Sequence, residues 1–241
     1  LSHPFSVDVD SAKMEFYEPE KETEDVVLFS KFGMIGEFFL GRMVGGVFEG
    51  SRSPGFEHPD TLFRIKDMPL RLCTAVRVDS TKTYRYVRYF GPRGGFGNVS
   101  EVGFYSSWAD TEPLKGDILG PQEGAHGSHS YFNVFDGHTD TSYDHPFDYG
   151  GWAGLDLGEK KAIGKIVYTP RNRDNFVRKD DLYELLVCHG GEWKSAGTQV
   201  AQSDSLLFRN IPKHALLLLR DLSRGEAERL FEYKDGVQKY W

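Results

Sequence analysis

The chain has 241 residues, 39% hydrophobic and 14% aromatic, a composition that supports packed cores and excludes a disordered chain. A formal charge of -7 and an isoelectric point near 5.6 argue against a nucleic-acid partner, which would call for an excess of Lys and Arg. The longest apolar run, residues 215–219, falls far short of the roughly 18 residues that a membrane-spanning helix needs.

The chain opens at Leu1 with no Met, basic n-region or apolar h-region, which reads as a processed or trimmed product. Residues 13–17 predict a strand, the acidic run EPEKETED a solvated connector, and residues 26–29 another apolar piece. Residues 35–48 are apolar but broken by Gly36, Gly41, Gly45 and Gly46, which predicts a bulged strand. A turn-rich loop with Pro54, Gly55 and Pro59 follows, then strands at 62–65, 74–78 and 84–90. The last of these, YRYVRYF, alternates apolar or aromatic residues with Arg. GPRGGFGN at 91–98 matches neither nucleotide-binding glycine spacing and reads as a turn. Asn98-Val99-Ser100 is a glycosylation sequon, which matters only in a eukaryotic secretory setting. A strand at 99–105 and a linker at 108–116 close the first half.

The second half is organised around FNVFDGHTDTSYDHPFDYGGWAGLDLG at 132–158. Its apolar start and the alternation of Trp152, Leu155 and Leu157 with Gly154, Asp156 and Gly158 predict strand, polar loop, strand. In such an arrangement the loop carries recognition. Further strands are predicted at 163–168, 182–188, 193–200, 205–208, 215–219 and 228–233. Asp235-Gly236 is a hairpin turn signal before 237–241. Helix is confined to a short piece at 224–230. Trp152 and Trp193 are expected in cores. Cys73 and Cys188 fit no metal or redox spacing and are expected as buried thiols.

These elements predict an all-β chain of two β-sandwich domains, residues 1–110 and 111–241. The first is shortened, and residues 1–33 are open to reading as a remnant of a preceding domain. An internal echo supports two copies: GVFEG at 46–50 matches NVFDG at 133–137, and SEVGFY at 100–105 matches AERLFEY at 227–233.

FDGHTDTSYD, GGWAGLDLG and KIVYTPRN resemble the discoidin, or coagulation-factor F5/8 type C, family of galactose-binding-like jelly rolls. The marks of that family fall on Asp136, Gly137, Thr141, Trp152, Asp156, Leu157, Gly158 and Glu228. GRMVGGVFEGS, YRYVRYFGPRGG, TPRNRDN and the terminal KYW resemble the C-terminal module pair of large Bacteroidetes cell-envelope proteins, some with a transglutaminase-like domain upstream. The resemblance covers residues 34–241 well and 1–33 poorly. It implies a structural Ca²⁺ at the D-G loop, held by Asp136, Asp140, Thr141 and Glu228, since Ca²⁺ takes about six to eight oxygen ligands. The alternative is that Asp136-Gly137 only builds a turn. In the first copy, Glu49 and Glu101 match, but no Thr follows.

Sugar binding needs aromatic faces flanked by planar hydrogen-bonding groups. The candidates are Tyr143, His145, Tyr149, Arg171, Asn172, Arg173 and Asn175. His126, His129, His138 and His145 lack a zinc motif and read as loop histidines. No nucleophile elbow or cysteine-nucleophile signature is present, so no enzymatic activity is expected. The implied function is a non-catalytic carbohydrate-binding pair in a secreted or surface protein of a bacterial envelope. One alternative is a scaffold segment that serves an upstream catalytic domain of the same protein. A second alternative is a glycan hydrolase.

Overall fold

The structure, a computed structural model, describes residues 5–8, 13–16, 22–33, 38–79, 81–124, 126–189, 191–225 and 228–240. Strands dominate, as the alternation predicts, and every strand pair is antiparallel. The chain divides into two compact units. One is continuous, Gly36–Asp174, and the other combines Leu1–Ile35 with Asn175–Trp241.

The second of these units begins with a hairpin of β1 (Phe5–Asp8) and β2 (Lys13–Phe16), followed by β3 (Thr23–Leu28). The continuous unit then starts with one helical turn, α1 (Phe38–Gly41), where the sequence predicts a bulged strand. Residues 35–37 of that prediction lie outside the described residues, as do 17–21 of the first strand and its acidic connector.

Its strands are β4 (Val47–Ser51), β5 (Asp60–Arg64), β6 (Thr74–Arg77), β7 (Thr83–Phe90), β8 (Glu101–Tyr105), β9 (Asp117–Leu119), β10 (Trp152–Ala162) and β11 (Lys165–Thr169). They form a five-stranded sheet in the order β5-β4-β7-β10-β9 and a three-stranded sheet in the order β6-β11-β8. Period-two alternation puts Phe48, Val87, Tyr89 and Leu155 of the first sheet in the same buried core as Val102, Phe104, Ile166 and Tyr168 of the second. The Phe48 ring lies 6.2 Å from Phe104 and 5.3 Å from Tyr168, so the two sheets face each other as a sandwich.

This pairing moves the expected domain boundary. Strand β7 lies before residue 110 and β10 after it, yet they pair from Phe90↔Trp152 to Thr83↔Ala162, and β8 pairs with β11 in the same way. The predicted linker at 108–116 is thus a loop inside one unit. The apparent repeat misleads because its two copies fold differently. GVFEG lies mostly in strand β4, whereas FNVF falls in a 3-10 turn, Tyr131–Phe135, capped by the Ser130 hydroxyl accepting from Phe132 N.

The DLG of β10 has a visible local job. Asp156 accepts from Gly158 N at 2.8 Å and receives both Nε and Nη2 of Arg85 at 2.7 and 2.8 Å. The carboxylate thus caps the bulge in β10 and clamps it to β7. The Arg85 guanidinium holds the Asp156 carboxyl below the usual carboxylate range.

The remaining strands are β12 (Leu182–His189), β13 (Glu192–Val200), β14 (Leu206–Pro212), β15 (Leu216–Asp221), β16 (Leu230–Lys234) and β17 (Val237–Tyr240). Five form a sheet in the order β13-β12-β15-β16-β17, and β14 pairs with β3. The N-terminal segment therefore belongs with the C-terminal one through Leu28↔Leu206 and its neighbours. Val26, Leu28, Tyr183, Leu185, Phe208 and Phe231 share their core. The Asp235-Gly236 turn forms as predicted, with both residues at positive φ. Cys188 is buried, but Cys73 is exposed, with its thiol 3.3 Å from the Thr169 hydroxyl. Trp193 sits exposed on β13, which among the described residues pairs with β12 alone, rather than in a core. Residues 226 and 227 of the predicted short helix lie outside the described residues.

Candidate functional site

Strand register decides which loops of the Gly36–Asp174 unit share an end. Val47 and Trp152 both pair with Phe90, and Thr169 pairs with Glu101. The loops leaving these positions, residues 39–46, 91–98, 143–151 and 170–174, emerge together. Backbone bonds tie them: Gly91 N to Gly151 O at 2.9 Å, Gly94 N to Asp148 O at 2.6 Å, His145 N to Phe96 O at 2.7 Å, and Ser100 N to Thr169 O at 2.9 Å. The close approach explains the glycines of GPRGGFGN. Gly97 has φ +61, and a Cβ there would lie 2.8 Å from the Tyr143 ring.

Asn98 is the pivot of this end. Fully buried, it accepts from Arg42 Nη1 at 2.8 Å and donates to Asp144 Oδ1 at 2.7 Å. Asp144 Oδ2 accepts from Arg171 Nη1 at 2.6 Å. Burial is the main influence lowering the affinity of Arg42 for its proton; Asp144 opposes it and Arg171 adds to it. The buried amide also means that the Asn98 sequon is unusable in the folded chain.

Around this chain lies a ring of stacked arginines. The Phe39 ring carries Arg171 at 4.5 Å, Arg173 at 4.6 Å and Arg42 at 5.4 Å, and Arg42 also lies 4.6 Å over Phe96. Arg93 lies 5.0 Å over Tyr149. Such contacts are worth about 0.5–1 kcal/mol each at exposed sites. Arg173 and Asp174 are both held at positive φ, +52 and +59, a conformation that costs non-glycine residues energy and clusters at functional sites. In the same loop region Phe147 and Tyr149 are 54% and 58% exposed.

The candidate ligand residues thus separate into groups. Tyr149, Arg171 and Arg173 come together at this end. Tyr143 is fully buried, its hydroxyl 2.9 Å from Nδ1 of the equally hidden His145. Both are packing residues beneath the loop, because the strand-to-loop junction at Val99–Tyr143 turns them inward. Burial also lowers the tendency of His145 to protonate. Asn172 is buried as well, donating to Thr139 O and Pro170 O and accepting from Asp174 N. Asn175 belongs to the other unit, where it accepts from Phe32 N at 3.0 Å. Phe39, Arg42, Arg93, Phe96, Asp144 and Phe147 are the residues that sequence reasoning missed. Their one signal was the glycine-rich loop, where three glycines in the seven residues after Gly91 implied close packing as much as a turn.

The calcium expectation fares differently. Asp136 accepts from His138 N at 2.8 Å and from the Thr141 hydroxyl at 2.9 Å, while Asp140 is exposed. Glu228 belongs to the other unit, where it accepts from Arg220 Nε at 2.8 Å. The carboxylate that does reach the D-G turn is Glu101, which accepts from Gly137 N at 3.1 Å. Among the described residues no three His, Cys, Asp or Glu side chains converge. The turn itself is held by these hydrogen bonds.

Glu101 lines a cavity of about 260 Å³ with Leu114, Ile118, Phe135 and Leu155. Burial, aided by the neighbouring Asp136 charge, pushes its carboxyl up to about 8. It therefore carries a proton at neutral pH, while one of its oxygens accepts from Gly137 N. A second cavity, of about 430 Å³, is polar and lined by Ser51, Arg52, Glu57, His58, Asp60 and Lys82. Its charges are largely paired internally, with Lys82 2.7 Å from Asp60 and Ser53 donating to Glu57.

Compared with family models, curated proteins and solved structures, the chain has no significant match in any of the three.

Proposed function

We propose that the Gly36–Asp174 unit is a non-catalytic glycan-binding module of a secreted or cell-surface protein, and that it binds through its Arg-rich loop end. The observation that carries this reading is the exposed pair Phe147 and Tyr149 beside Arg93. Large aromatics exposed in a short, hydrogen-bonded loop offer flat apolar faces to sugar C–H groups, and guanidinium planes alongside read hydroxyl or acidic groups. A glycan array probed with the intact chain and with Tyr149→Ala tests it. The reading expects reproducible binding that the variant loses, whereas an array blank for the intact chain opposes it.

A second reading is favoured by a separate observation. Tyr143, His145, Arg171, Asn172 and Asn175, five of the seven sequence candidates, are buried and hydrogen-bonded within their units. Residues spent on packing suit a scaffold segment that serves an upstream catalytic domain. A blank array together with retained binding to such a domain would favour it.

A further inference from the structure

We infer that the glycan bound at this end is acidic, with its carboxylate or sulfate groups held by Arg93 and Arg173. The inference rests on the glycan-binding reading and narrows it. Three arginines crowd one phenyl ring, Phe39, and the carboxylate hydrogen-bonded among them, Asp144, is already engaged by Arg171 and Asn98. Arg173 is exposed and stacks on Phe39, and it has no carboxylate partner among the described residues. Arg93 is likewise exposed, stacks on Tyr149 and has no carboxylate partner among the described residues. Two guanidinium forks are therefore held in place by aromatic rings and keep their donors for solvent.

A guanidinium presents a planar, bidentate edge that matches carboxylate and sulfate geometry. Two forks in different loops suit a chain with repeated acidic groups better than a single ion. The loops at this end hold Arg42, Arg93, Arg171 and Arg173 against Asp144, Asp148 and Asp174, a slight local excess of positive charge on a chain that carries -7 as a whole. That excess would draw an acidic polymer to this end and away from the rest of the surface. The left-handed backbone at Arg173 and Asp174 supports the same conclusion, because a strained segment that presents an unpaired fork is the kind of feature function retains.

The test is affinity electrophoresis of the intact chain in gels containing polygalacturonate, chondroitin sulfate, neutral galactan or polyglutamate. Variants Arg93→Gln, Arg173→Gln and Arg173→Lys are run alongside. One or both acidic polysaccharides should retard the chain far more than galactan, and which one does distinguishes a carboxylate from a sulfate ligand. Each Gln variant should weaken that retardation roughly tenfold, and Arg173→Lys should recover only part of it. Melting temperatures should fall only slightly, since both side chains are exposed and each gives up one cation–π contact. The inference is overturned if galactan or polyglutamate binds as well as the acidic glycans, or if the Gln variants bind like the parent chain. Failure to bind any polysaccharide instead overturns the glycan-binding reading beneath it.

Discussion

Glu101 sits in an environment far from that of an ordinary surface glutamate. It lies at the start of β8, accepts from Gly137 N and faces apolar groups across a cavity. Its carboxyl is pushed from 4.5 up to about 8, chiefly by burial. The folded state therefore holds this proton more tightly than the unfolded chain does, and unfolding becomes easier once the proton is lost. The contribution to stability is complete below about pH 4.5 and disappears as pH rises through about 8. Thermal melts of the parent chain should show a decline across that window. Glu101→Gln should flatten it, and a variant that keeps the parent slope would place the titration elsewhere. Asn98 is the other sensitive residue. Asn98→Ala removes an acceptor for Arg42 and a donor for Asp144, both partly buried. Leaving such partners unmatched costs about 1–3 kcal/mol, to be read from the midpoint of urea unfolding at constant m-value.

Among elements, β4 is central to the sandwich, because Phe48 spans the gap between its two sheets. The ring is fully buried against Tyr89, Phe104 and Tyr168. Phe48→Ala should cost about 3–5 kcal/mol, and Trp193→Ala, on the exposed edge strand β13, should change stability by less than about 0.5 kcal/mol. Urea titrations of the two variants give the comparison. Equal losses would mean that Trp193 is packed after all. Elements of this kind were largely legible in the sequence. YRYVRYF, WAGLDLG and KIVYT alternate as half-buried strands do, and Asp235-Gly236 marks its hairpin. FNVF was misread because Phe132, Val134 and Phe135 imitate a strand. The N-cap from Ser130 and the turn at Asp136 make it a 3-10 turn instead. Whether a short apolar run becomes strand or turn depends on capping and tertiary contacts, which periodicity does not encode.

At the scale of the whole molecule the all-β class was legible but the grouping of strands was not. A boundary near residue 110 follows the linear order of apparent repeats, whereas the sandwich closes by pairing β7 with β10 and β8 with β11 across it. Long-range pairing of this sort leaves no local signal. The candidate site was hidden in part for the same reason. Tyr149, Arg171 and Arg173 were legible as candidates, but Phe39, Arg42 and Arg93 join them only because Val47, Phe90 and Trp152 are level in the sheet. This grouping has its own test. A fragment of residues 36–174 should unfold cooperatively in a urea titration, and a fragment of residues 1–110 should not. A cooperative 1–110 fragment would contradict the strand pairing described here.

The central claim is that a glycan binds at the Arg-rich loop end. Chemical-shift mapping on the ¹⁵N-labelled intact chain, titrated separately with oligogalacturonate and with chondroitin sulfate oligosaccharides, tests it most directly. Shifts confined to residues 39–46, 91–98, 143–151 and 170–174 are the predicted result. No shifts, or shifts centred on the polar cavity around Arg52, His58 and Lys82, would contradict it.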